Sequence, residues 1–158
     1  MDKLLNKFNI IQKANEKLIN KFDELKDFIN SDKSSMNMNE KEINKYYNLK
    51  NNVKAQAFKQ ELISKQEKFC EKINYDVETL NLDSVKNVFN SLIDYFAKVE
   101  DVYYDILNEV NSGSVNANSL FKIEEKINYY QGNLKFINSL EDKFTLNLKN
   151  LKEEELSL

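Results

Sequence analysis

Apolar residues recur at steps of three and four along nearly the whole chain. In the first segment, Leu4, Phe8, Ile11, Leu18, Phe22, Leu25 and Ile29 hold this spacing, with Asn15 as the one polar residue on the line. Such a seven-residue repeat gathers apolar side chains on one face of a helix; a strand would alternate every second residue instead. The polar run from Asn30 to Glu40 interrupts the pattern and reads as a loop. Asn39 followed by Glu42 resembles a capping box and marks the start of a second helix. That helix continues through Ile43, Tyr46, Val53, Phe58, Leu62, Phe69, Ile73, Val77 and Leu80. Its stripe is weakest around KNNVKAQAFKQ, so continuity through Lys50–Asn52 is left open.

Asp83 or Ser84 can cap a third helix, whose line is Val85, Phe89, Leu92, Phe96, Val99, Tyr103, Ile106 and Val110. Gly113 is placed to end it. A fourth helix carries Leu120, Ile123, Ile127, Tyr130, Leu134, Ile137, Phe144, Leu148 and Leu151, with Glu141 as its polar exception. The pattern thus predicts helices over about 2–30, 39–80, 84–111 and 119–152, within one domain covering 1–158. Four long helices with short connections imply an all-α, elongated antiparallel four-helix bundle with coiled-coil-like packing.

The predicted lengths do not match. With the turn near 80–83 aligned, residues 17–30 and 39–52 would project beyond the other two helices. Each large apolar side chain left exposed there forgoes roughly 1.5–3 kcal/mol of burial. The projecting surface would need a partner, a second copy, or a break in the second helix that folds the chain over itself. Adjacent residues of a helix cannot both face one core. In the tyrosine doublets at 46–47, 103–104 and 129–130, one of each pair, Tyr47, Tyr104 and Tyr129, is therefore expected to be partly exposed. The candidate partner-binding set is Phe22, Leu25, Phe28, Ile43, Tyr46, Tyr47, Tyr104 and Tyr129, because apolar and tyrosine side chains anchor protein interfaces.

One of the two glycines, Gly132, sits inside the fourth helix in INYYQGNLKFI. Glycine inside a helix costs roughly 1 kcal/mol relative to alanine. The position therefore reads as a tolerated surface glycine, as a notch for a neighbouring side chain, or as a local bend beside Tyr129.

Composition narrows the chemistry. The chain has no His and no Pro, and all 23 of its basic residues are Lys. Without His, the usual general base and transition-metal ligand is gone; without Arg, the bidentate fork for phosphate or guanine is gone. The net charge of −3 supplies no basic field for nucleic acid. Residues 1–75 hold 15 Lys against 11 acids, net +4, and residues 76–158 hold 8 against 15, net −7, so basic and acidic helices are expected side by side. Cys70 is single and cannot form an internal disulfide. Glu124–Glu125 and Glu153–Glu155 read as solvated faces, and the heavy use of Lys, Asn and Ile reads as the coding bias of an A+T-rich bacterium or its phage. The start MDKLLNKFNIIQ lacks the apolar core of a secretory signal, so a cytoplasmic location is expected, with signal-independent export or delivery to a host left open.

The expected function is a non-enzymatic helical protein-interaction module: an adaptor, a chaperone or a stoichiometric inhibitor. Its expected partner is another protein or a second copy as a homodimer, with no catalytic residue, metal or cofactor. The alternative is a membrane- or lipid-associated amphipathic rod, disfavoured because the lysines are mixed with acids.

Overall fold

The computed structural model describes residues 3–31, 36 and 38–157, with side chains as far as residue 152. It contains six helices among the described residues: α1 (Lys3–Ser31), α2 (Glu40–Leu49), α3 (Val53–Glu78), α4 (Val85–Asn111), α5 (Ala117–Ser139) and α6 (Glu141–Ser157). There is no strand among these residues. The all-helical expectation holds, but two of the four expected helices are each divided in two.

The expected helix over 39–80 breaks after Leu49. Lys50 is still right-handed helical, whereas Asn52 is extended, with φ −84° and ψ 137°, and its side chain caps Lys54 N. The Gln56 amide ties down the Lys50 carbonyl at 2.5 Å. No glycine or proline forces this break; an asparagine that caps a new helix makes it. The expected helix over 119–152 breaks at Leu140, which is buried, and Glu141 becomes the exposed first residue of α6. Its charge then lies at a helix N-terminus, where the dipole favours an acid. The last helix also runs on to Ser157 rather than ending near 152.

The caps follow the local sequence with two differences. Asn39 accepts from Glu42 N as expected, but the Glu42 carboxylate leaves its own helix and accepts from Ala117 N, at the start of α5, at 3.0 Å. At the α3–α4 turn the Asn81 side chain, rather than Asp83 or Ser84, accepts from the backbone N–H groups of Asp83 and Ser84.

The core runs through all six helices. Along α1, Phe8 stacks on Phe144 of α6 at 4.4 Å, Asn15 donates to the Leu134 carbonyl at 3.0 Å, and Gln131 donates to the Ile19 carbonyl at 3.1 Å. The numbers fall along α5–α6 as they rise along α1, so these helices run in opposite directions. Against α4 they rise together: Phe8 meets Phe89, and Phe22 meets Tyr103 edge-on at 5.6 Å. They also rise together between α3 and α5–α6, from Phe58 beside Phe121 to Asn147 donating to the Val77 carbonyl at 2.7 Å. Phe69 and Tyr95 close the gap between α3 and α4, with ring centres 4.7 Å apart. The basic N-terminal half does meet the acidic C-terminal half, as at Lys21–Glu100.

The projecting hairpin is overturned. Phe22, Leu25, Ile29 and Tyr46 are all buried within the single chain. The break at Asn52 lets α2 fold across α5, and Met36 and Met38 fill the same end of the core. Covering these side chains removes the length mismatch that a straight second helix would have left. Among the described residues, no helix is long and apolar enough to cross a membrane.

The INYYQGN stretch is an interhelical junction. Gln131 is buried; it donates to the Ile19 carbonyl and to Asp23, and accepts from Lys26 at 2.7 Å. Asn133 is buried and donates to the Tyr95 hydroxyl at 2.8 Å. Gly132 is the notch: a Cβ there would collide with the end of Gln66 of α3, which donates to the Tyr129 carbonyl. Gly132→Ala therefore gains about 1 kcal/mol of helix propensity and loses one hydrogen bond of about the same worth. The midpoint of urea unfolding is expected to stay near that of the parent. Gly113 has φ +75°, so Gly113→Ala is expected to cost about 1–2 kcal/mol in the same assay. A large loss at Gly132 would show that the end of Gln66 cannot give way, and no loss at Gly113 would contradict its left-handed role.

Candidate functional site

The elbow between α2 and α3 creates the most distinctive surface. Three contacts fix α2 on the first half of α5. Glu42 caps Ala117, Ile43 is half-buried against the core, and Tyr46, one turn further along α2, donates its hydroxyl to Glu124. Residues four apart share a helix face, so Glu42 and Tyr46 reach α5 together. Lys50 then lies over the Tyr46 and Tyr47 rings, 5.0 and 5.4 Å from their centroids. An ammonium group over aromatic faces holds the end of α2 against its own tyrosine pair.

Beside this clamp, the turn into α3 opens a cleft of about 330 Å³ against α5. Leu49, Ala55, Phe58 and Phe121 supply its apolar surface, Asn52 and Asn118 are polar, and Lys54 and Lys122 bring positive charge. Lys122 reaches over the Phe58 ring at 5.9 Å. Among the described residues, no acid lines this cleft. A neighbouring hollow continues between α3 and α5 past Lys50, Gln56 and Lys59, where Glu124 and Glu125 enter its wall. The cleft can hold an apolar side chain and attract an anion beside it.

The expected site residues separate. Phe22, Leu25 and Tyr46 are core, not docking surface: α1 packs on α4 and α5, where Phe22 meets Tyr103, and α2 packs on α5, where Tyr46 meets Glu124. Ile43 and Tyr129 are half-buried, while Phe28, Tyr47 and Tyr104 are exposed. Tyr47 stands beside the elbow. Phe28 lies on α1 and Tyr104 on α4, where Tyr104 accepts from Lys21 at 3.3 Å. The eight residues therefore do not form one patch. Lys54, Phe121 and Lys122 were not among the expected site residues. No local signal marks them, since the cleft they line exists only once the helix bends at Asn52.

Burial raises the pKa of the Tyr46, Tyr95 and Tyr130 hydroxyls above the ordinary value of 10.0; the bond to Glu124 adds to the effect at Tyr46. Burial likewise raises that of the half-buried Cys70 thiol. For these tyrosines the folded state keeps its proton where the unfolded state has lost it. Their contribution to stability is thus complete below pH 10 and is lost as the pH rises through the folded values. In an alkaline titration, the tyrosinate absorbance of these three of the eight tyrosines is expected to rise only together with loss of helical circular dichroism. Simultaneous ionisation of all eight with the helix signal intact would show that the three hydroxyls are not held by the fold.

No family model, curated protein or solved structure matches this chain.

Proposed function

We propose that the chain is a non-enzymatic protein-interaction module, acting as an adaptor, chaperone or stoichiometric inhibitor, whose elbow cleft receives an acidic segment anchored by one aromatic or leucine side chain. The observation that carries this reading is the cleft's lining among the described residues: an apolar floor with Lys54 and Lys122 and no acid, on a chain of net charge −3. A local positive site on an acidic protein selects an anionic partner, and the floor rewards an apolar anchor. Its scaffold is read as a bundle of four rods, α1, α2–α3, α4 and α5–α6, alternating in direction along the sequence. The directions of the contact pairs described above support that arrangement.

The lipid-associated alternative needs apolar helix faces turned outward. Here the main apolar lines of α1, α4 and α5 face the core, which favours the protein-binding reading. A random-peptide display selection against the folded chain tests it. Enriched peptides are expected to place Asp or Glu beside Phe, Trp or Leu, to weaken as salt is raised, and to lose binding to Lys54→Glu/Lys122→Glu. Peptides that bind the charge-reversed chain equally well, or flotation of the chain on liposomes with no peptide selected, would refute the proposal.

A further inference from the structure

The break between α2 and α3 has an unusual construction. Its three residues, Lys50, Asn51 and Asn52, include neither glycine nor proline. Lys50 is already helical, and Asn52 has the extended ψ of 137°. Lys50, Asn51, Asn52 and Val53 are all exposed, so no core packing of their own fixes the turn. Turning the backbone at Asn52 to helical values would join α2 and α3 into one helix over 40–78, about 58 Å long. The bent form keeps the Asn52 cap and the Gln56–Lys50 bond; the straight form replaces them with ordinary helical hydrogen bonds. Neither local form has a large advantage, so the elbow is held mainly by what α1 and α2 bury against the rest of the chain.

Those buried contacts do not require that both sides come from one molecule. From this geometry we infer that the chain exchanges its first two helices with a second copy. The elbow straightens, and α1–α2 of each copy dock on the α4, α5 and α6 surfaces of the other. The occupant is specified by the monomer itself: the surface that α1–α2 would leave is the one they would find on the partner. Phe22 would again meet a Tyr103, Tyr46 a Glu124 and Asn15 a Leu134 carbonyl, each now on the other copy. Exchange of an identical element adds no new unfavourable contact, and a short hinge governs its balance. The inference does not depend on what fills the elbow cleft.

Two substitutions push the hinge in opposite directions. Val53 is the first residue of α3 and its side chain is 84% exposed. Proline is well suited to that position in the bent chain, and Asn52 already has the extended backbone that precedes proline. In the straight helix, proline at 53 would clash with the Leu49 carbonyl and lose a hydrogen bond. Asn51→Ala/Asn52→Ala does the reverse by removing the cap and favouring continuous helix.

The experiment is refolding of the full chain from denaturant across a range of concentrations, with mass measured by light scattering behind size exclusion. The parent is expected to yield a dimer whose share grows with concentration. The double alanine variant should raise the dimer-to-monomer ratio by about tenfold or more, because the dimer straightens two hinges and each monomer hinge has lost its cap. Val53→Pro should remain monomeric with the helical signal of the parent. Spin labels at positions 45 and 68, in a Cys70→Ser background diluted with unlabelled chain, should lie about 35 Å apart along a straight helix in the dimer and closer in the monomer. A dimer that retains the shorter distance, a Val53→Pro chain that dimerises like the parent, or an alanine variant that stays monomeric throughout would each overturn the inference.

Discussion

Phe22→Ala is expected to destabilise the fold by about 3–5 kcal/mol, among the largest costs of any single truncation in this chain. The Phe22 side chain is completely buried and packs edge-on against Tyr103 at 5.6 Å, so alanine leaves a cavity that neighbouring helices fill only in part. Urea unfolding followed by circular dichroism measures the loss. The same substitution separates two accounts of this residue. If Phe22 is core, the loss is independent of protein concentration in the monomer. If it were a docking residue on a projecting hairpin, the variant would keep the parent's monomer stability and lose only association. A change below about 1 kcal/mol would therefore return Phe22 to the surface account.

Tyr46→Phe should produce the second large effect, a loss of about 1.5–3 kcal/mol, the range for a hydrogen bond to a charged group. The ring remains to fill its site, while Glu124 loses the hydroxyl that donates to it. The other carboxylate oxygen of Glu124 is buried without a hydrogen bond among the described residues, so it offers no compensation. Glu124→Gln alone and both changes together complete a double-mutant cycle. The coupling is expected at about 1 kcal/mol or more, and strict additivity would mean that the bond does not hold α2 down. Hydrogen exchange adds a local readout: α2 amides should lose protection in Tyr46→Phe while those of α4 change little. Ten residues make too short a helix to persist without α5, so α2 should open as a unit.

Much of the fold was legible before any coordinates. Phe8, Ile11, Leu18, Phe22, Leu25 and Ile29 form one apolar line in the sequence and one buried line in α1. Gly113 ends α4, and Asn39 begins α2. Even the polar exceptions have local sense: Asn15 finds a backbone carbonyl across the core, and Glu141 begins a helix. The candidate site was much less legible. Tyr47 stands at the elbow as an exposed tyrosine, yet the cleft beside it is lined by Leu49, Lys54, Phe58, Phe121 and Lys122, brought together from three helices.

The sequence by itself determined that this protein is helical, which face of each helix is apolar, and where most helices start. Those are properties of residues within a few turns of one another, and spacing records them. Only the tertiary structure decided which helix covers which, that α1 lies beside both α4 and α5, and that α2 turns back across α5. At Asn52 the bent chain keeps its backbone satisfied through the Asn52 cap and the Gln56–Lys50 bond, and a straight helix would do so through its own ladder. The choice falls to the burial of Phe22, Leu25, Ile29 and Tyr46, whose covering surface comes largely from sequence-distant helices. Periodicity identifies an apolar face, but it carries no record of the surface that will cover it.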